Sequence, residues 1–233
     1  VKPSFRPYVE NKHKKASEMV RRLTDDVETH TSSQLFDEYS RQCYLDNLLR
    51  GGYPLMIKAC NKKFINYVYS RKHGDIERDY NFFVIEPEFY SSGNGNYRDV
   101  NQNRRCSVLF HPEVEDFDIM TFFNLTQPDG YNPLIINGYK YRLKEGCELP
   151  DVKDKIKLDE PFTIGDLYKR FSDEKFIKNI LSNSEQELEA EYGEGYWSDH
   201  FSYDIDLIES YLSVYPDKEE ELLFKNNKYT YYD

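Results

Sequence analysis

Residues 204–215, DIDLIESYLSVY, repeat apolar side chains at helical spacing. Ile205, Ile208, Tyr211, Leu212 and Tyr215 fall on one stripe, the pattern of a helix that buries one face. Pro216 and Asp217 end it, because proline cannot continue the hydrogen-bond ladder. Outward from this segment the same period recurs. In QLFDEYSRQCYLDNLLR (34–50), Leu35, Phe36, Tyr39, Cys43 and Leu48 share a face, and Gly51 and Gly52 follow as a stop signal. Residues 113–127 read as a further helix with Phe117, Met120, Phe122 and Leu125 as candidate core. Thr163 and Asp166 have the spacing of a capping box for a short helix through Phe171. Phe176, Ile177, Ile180 and Leu181 mark another. Helix therefore dominates the reading, and the expected class is mainly α.

Extended structure is expected around 63–100 and 135–143. KFINYVY (63–69) is rich in aromatic and β-branched residues, which suit strands. INGYKYRL (136–143) has the look of a hairpin, and SEQELEAEYGEG (184–195) that of an acidic surface loop. The segment 140–192 reads as a small insert. Residues 1–33 are polar and mixed in charge, and read as an exposed helix or a connector.

The net charge is −11, with 42 acidic against 31 basic residues. A chain of that sign repels nucleic acid and anionic membrane surfaces, so neither is expected as a partner. No apolar run is long enough to span a bilayer. Cys43, Cys60, Cys106 and Cys147 are far apart without metal-ligand spacing, so free buried thiols in a reducing, cytoplasmic setting are expected and zinc is not. The chain begins at Val1 without a secretion signal, and is expected to be an internal piece of a longer protein. Aromatic residues reach 16%, with 21 Tyr, which suits either an aromatic core or surfaces that receive sugar rings.

Three polar clusters could carry chemistry. The first is GNGNYRDVNQNRR (93–105). A glycine turn leads into a helix start bearing Arg98, Asp99, Gln102, Asn103, Arg104 and Arg105. Carboxylates, amides and guanidinium forks together match the donors and acceptors of a sugar. The alternative is a polar helix cap. The second cluster is Arg71, His73, Asp75, Glu77, Arg78 and Asp79, where Asp75 and Glu77 could serve as a glycosidic acid or base, or could simply be surface ion pairs. The third is GYWSDH (195–200). Here the single Trp197 stands beside Asp199 and His200, either as a platform for a sugar ring or as a cap with Trp in the core.

RQCYLDNLLRGGYP (41–54), the run from Val68 to Arg105, DGYNPL (129–134) and the segment from Trp197 to Leu223 together resemble proteins related to cellobiose phosphorylase. They are most similar to the 1,2-β-oligoglucan phosphorylase branch of glycoside hydrolase family 94. The resemblance implies a catalytic (α/α)6 barrel, of which residues 34–233 would be a part. The family's RDxxQD segment of the glucose site is matched by Arg98 to Asn103, with Asn103 replacing its final Asp. The resemblance thus implies sugar contact by Arg98, Asp99, Gln102, Asn103, Arg104, Trp197 and Asp199, with Arg104 and Arg105 also candidates for phosphate. It implies inverting phosphorolysis of a β-glucan or oligosaccharide, with inorganic phosphate as co-substrate and no cofactor. The family's general acid lies in a WNDG-like segment that this sequence lacks, so the chain alone is expected to be inactive. A hydrolase of the same barrel type and a non-catalytic sugar-binding module are the alternatives.

Overall fold

The structure is a computed structural model and describes residues 5–70, 90–91, 95–147, 160–193, 197–225 and 228–232. The chain divides into two compact units, Val1–Leu49 and Arg50–Asp233.

The first unit holds helix α1 (Phe5–Thr24) and most of α2 (Gln34–Gly51). Only Leu23 and Thr24 of α1 are buried. Ser33 caps α2, accepting from the backbone of Phe36 at 3.3 Å. The Asp37 carboxylate gathers Thr29 Oγ1 at 2.6 Å and the Thr31 amide at 3.1 Å. The bond from Thr29 chiefly holds its pKa below the ordinary aspartate value. The buried line of α2 is Tyr44 and Leu48. Leu35, Phe36 and Tyr39, expected on that face, are exposed. The apolar period there is real, but nothing in the unit's short interior covers its first two turns.

In the second unit, helices predominate around two antiparallel sheets. Strands β1 (Tyr53–Ala59) and β2 (Lys62–Val68) form a hairpin. A three-stranded sheet has the order β3-β4-β5, with β3 at Gly95–Asn96, β4 at Ile135–Leu143 and β5 at Ser184–Glu191. The expected hairpin at 136–143 is instead one continuous strand. Asn137 and Gly138 make a bulge, seen as the register shift between Ile136 and Gly138. The expected acidic loop at 184–195 is a strand over most of its length. Its residues alternate: Gln186, Leu188 and Ala190 turn partly inward, while Glu185, Glu187 and Glu191 are exposed. Cross-strand ion pairs from Lys140 to Glu189 (2.7 Å) and Arg142 to Glu187 (3.6 Å) offset the repulsion between its carboxylates.

Helices α3 (Tyr97–Arg104), α4 (Ser107–Phe110), α5 (Phe117–Phe123), α6 (Ile164–Arg170), α7 (Glu174–Ser182) and α8 (Asp199–Val214) pack on these sheets. The capping box at Thr163 is present. Thr163 Oγ1 accepts from the Asp166 amide at 3.1 Å, and Asp166 accepts from the Thr163 amide at 3.0 Å. One core joins the hairpin to α6 and α7 through Phe64, Val68, Leu167, Ile177, Ile180 and Leu181. A second joins α3, α5 and α8 through Tyr97, Val100, Ile119, Phe122, Leu207 and Tyr211. The inward face of α8 is His200, Asp204, Leu207 and Tyr211. This line is rotated by about one residue from the expected stripe, and Ile205 is exposed.

All four cysteines are free, but Cys43 and Cys60 are exposed and Cys106 and Cys147 intermediate, which corrects the expectation of buried thiols. Among the described residues no helix is long and apolar enough to cross a membrane.

Gly51 and Gly52 end α2 as expected, for two different reasons. A Cβ on Gly51 would stand 3.1–3.2 Å from atoms of Asn103 and Arg104, so glycine lets the chain at this position approach α3 closely. Gly52 has φ +92°, and its Cβ would meet Tyr67 Cβ at 2.9 Å. Gly52→Ala is expected to destabilise the fold by about 1–3 kcal/mol, measured by urea unfolding. Gly130→Ala, with φ +87° but nothing within 4 Å of the new Cβ, is expected to cost less.

Candidate functional site

Helix α3 has two unlike faces. Tyr97, Val100, Asn101 and Arg104 are buried, at the spacing of one helical side. Arg98, Asp99, Gln102 and Asn103 lie on the other, partly or fully exposed. The first of these form a pair, with Arg98 Nε 3.6 Å from Asp99 Oδ1. Asn96 Nδ2 donates to Asp99 Oδ2 at 3.1 Å. Asn103 bends back to give its amide to the Asp99 carbonyl at 2.7 Å, which holds it along the helix.

Arg104 does not join this outer face. Its side chain is 3% exposed. Nε donates to the Gly51 carbonyl at 2.7 Å, and Nη1 to the Tyr139 hydroxyl at 3.4 Å. Its guanidinium covers the Tyr67 ring at 3.8 Å from the centroid. Asp118 Oδ1 stands 4.0 Å away, and Tyr67 donates its hydroxyl to Asp118 Oδ2. Arg104 is thus a structural cation rather than the expected sugar or phosphate contact. Arg105 is likewise engaged, with Nη1 on Asp206 of α8 at 2.8 Å.

The α8 end of the site is built from the third sequence cluster. The His200 ring stacks on Tyr97 with centroids 4.7 Å apart, and Trp197 lies parallel to His200 at 6.5 Å. Trp197 is 50% exposed, so the outer member of this aromatic step keeps an open surface. His200 is held below its ordinary pKa chiefly by burial, with Arg98 adding to the effect and Asp199 opposing it. Neutral imidazole is therefore the form favoured between Arg98 and Asp199. The structure brings the first and third clusters together: Arg98 and Asp99 from α3, Trp197, Asp199 and His200 from the start of α8. The second cluster, Arg71, His73, Asp75, Glu77, Arg78 and Asp79, lies outside the described residues, as do Gly93, Asn94, Gly195 and Tyr196.

Beneath the step is a buried polar group that sequence reading missed. Asp204 Oδ1 accepts from Tyr97 Oη at 2.9 Å and from Asn101 Nδ2 at 2.5 Å. Asn132 Nδ2 donates to the Tyr97 hydroxyl at 3.1 Å. Among the described residues, Asp204 Oδ2 and Asn101 Oδ1 have no hydrogen-bond partner. Burial pushes Asp204 up to about 6 against the donors from Tyr97 and Asn101. It also pushes Asp118 up to about 6, against Arg104 and the Tyr67 hydroxyl. The one sequence signal was the spacing of Asp204 four residues before the apolar Ile208, which hydrophobic periodicity alone does not turn inward for an aspartate. A cavity of about 570 Å³ lies elsewhere, between α5 and strands β4 and β5. Among the described residues no group of three or more His, Cys, Asp or Glu is disposed to hold a metal.

Compared with known protein families, curated proteins and solved structures, the chain finds no match. The fold and site define a mainly helical chain with two small antiparallel sheets and one mixed aromatic and charged patch.

Two outcomes follow from this geometry. Arg104→Ala is expected to lose about 3–5 kcal/mol, because it strands Asp118 and the Gly51 carbonyl. Gln102→Ala on the exposed face is expected to stay within about 0.5 kcal/mol, both read by urea unfolding. For Asp204 the folded pKa lies above the ordinary 3.8. Its proton therefore favours the folded state at low pH, and that contribution is lost as pH rises through about 6. The stability of wild type relative to Asp204→Asn is expected to fall across that window and level off above it, on the order of 1–3 kcal/mol in total.

Proposed function

We propose that this chain is part of a carbohydrate-active enzyme, a glycoside phosphorylase of the cellobiose phosphorylase kind. In this reading residues 34–233 belong to a partial (α/α)6 barrel in a cytoplasmic protein. One observation carries it. Two polar clusters distant in sequence converge where α3 meets α8, as the Tyr97–His200 stack at 4.7 Å records. The helix that carries Arg98 and Asp99 thereby meets His200, whose ring lies parallel to the exposed indole of Trp197 at 6.5 Å.

Each group has a part suited to a pyranose. The indole face of Trp197 receives the apolar face of the ring. Asp99 accepts from neighbouring hydroxyls, and Arg98 donates to them. Gln102 and Asp199 extend the polar rim. In the reaction, a general acid protonates the glycosidic oxygen while a phosphate oxygen attacks the anomeric carbon from the opposite face. The C–O bond to the leaving sugar breaks, and the product is a sugar 1-phosphate of inverted configuration. Asp75 and Glu77 remain candidates for the acid, or for the acid and base of a hydrolase.

A second reading has its own support. Arg104 and Arg105, the expected phosphate contacts, are both committed within the fold. A patch that binds sugar without phosphorolysis is consistent with that.

Trp197 is the only tryptophan, so its fluorescence reports the patch directly. Titration with cellotetraose or a short 1,2-β-glucan is expected to change it saturably. Asp99→Ala is expected to weaken that response about tenfold with unchanged circular dichroism. Release of glucose 1-phosphate only when phosphate is present separates phosphorylase from hydrolase, and binding without turnover selects the binding module. No fluorescence response to any glucan removes all three.

A further inference from the structure

The cavity of about 570 Å³ between α5, β4 and β5 shares no residue with the patch at Trp197. Its volume is that of a small-ligand site, and its lining has a definite chemistry. Phe117 supplies an aromatic face that is held in place, with its ring 5.7 Å from Tyr139 and 6.4 Å from Tyr67. Tyr139 and Thr121 place their hydroxyls 3.3 Å apart. Arg104 has only donors, so the Tyr139 oxygen is the acceptor in their 3.4 Å contact. That leaves the phenolic proton for Thr121 or for a ligand. Gln186 gives its amide nitrogen to the Ile65 carbonyl at 2.8 Å, which fixes the amide and reserves its oxygen as an acceptor. Glu187 and Glu189 also border the cleft, but their carboxylates alternate with Gln186 and Leu188 along β5 and pair with Arg142 and Lys140.

Among the described residues no Lys, Arg or His lines this cavity, and these residues offer a phosphate or other anion nothing to pair with. An amine would compete with Arg142 and Lys140 for carboxylates that are already paired. What remains is a ligand that is neutral, rich in hydroxyl donors and apolar on one face. We propose that this cleft is a second binding site, taking one or two rings of a neutral oligosaccharide, with a ring face on Phe117 and its hydroxyls on Thr121, Tyr139 and Gln186. The proposal does not rest on the reading of the Trp197 patch and stands if that reading fails.

The test uses the whole chain with its methionine methyl groups labelled for NMR, because Met120 also lines the cleft. Cellotetraose, laminaritetraose, inorganic phosphate and spermidine are titrated separately. A neutral tetrasaccharide is expected to shift the Met120 methyl signal saturably, and phosphate is expected to leave it unchanged. The double variant Glu187→Ala/Glu189→Ala alters only surface ion pairs on the opposite face of β5, and is expected to fold and to leave the Met120 midpoint within about twofold. Thr121→Val, which keeps the shape and removes the hydroxyl, should weaken the Met120 response about tenfold. Trp197→Ala should leave the Met120 midpoint within about twofold while abolishing the fluorescence signal. The proposal is overturned if neither sugar shifts Met120, if spermidine or phosphate does so more strongly, or if Thr121→Val leaves the midpoint unchanged. A Met120 response lost in Trp197→Ala would also overturn it, since the sugar would then be acting from the other patch.

Discussion

The guanidinium of Arg104 is the point on which the second unit depends. A buried cation is costly unless its charge and its donors are all answered. Here the answers come from four separate elements: the carbonyl at the end of α2, the Tyr67 ring of β2, the Tyr139 hydroxyl of β4 and the Asp118 carboxylate of α5. Each of these must therefore sit where a planar, rigid group can reach it. That requirement explains the close approach at Gly51, where a Cβ would press on the backbone of α3. It also explains why Asp118 tolerates burial, since it holds Tyr67 by a hydrogen bond and faces Arg104.

The same eight-residue helix carries both the anchor and the candidate site. Arg104 fixes the inner side of α3 at its last turn, and Tyr97 fixes it at the first through Asp204 and Asn132. With both ends held, Arg98 and Asp99 project from a rigid element rather than a free loop. Arg105 extends the same restraint to α8 through Asp206. The patch thus inherits its geometry from contacts made on the opposite side of the helix.

Much of the secondary structure was legible because its causes are local. The capping box at Thr163, the stop at Gly51 and Gly52, and the β-branched and aromatic run of β2 each depend on neighbours in sequence. The errors have tertiary causes. The inner face of α8 carries His200 and Asp204, polar residues that hydrophobic periodicity scores as outward. SEQELEAE looks like loop by its charge, yet its pairing partner KYR supplies the compensating cations from across the sheet. INGYKYRL contains a turn dipeptide that β4 absorbs as a bulge against β5. For the site, residue types pointed to Arg98, Asp99, Trp197 and Asp199 but could not separate Arg104 from them. A helix of charged and amide residues does not reveal which arginine faces inward until the partners at Gly51, Tyr67 and Asp118 are placed.

The charge pattern beneath the aromatic step follows from the same logic. Among the described residues, Asp204 and Asn101 each keep an acceptor oxygen without a donor. Two buried acceptors on adjoining groups form an arrangement that favours a proton. Burial raises Asp204 in keeping with that, and raises Tyr97 well above the ordinary phenol range, so the hydroxyl stays a donor. His200 is shifted the other way, toward the neutral ring. Each titratable group under the step is thus biased toward its uncharged form, while Arg98 and Asp99 lie partly exposed at its edge. A face of neutral aromatic rings bordered by a cation and a carboxylate is the arrangement on which the proposed sugar contact rests.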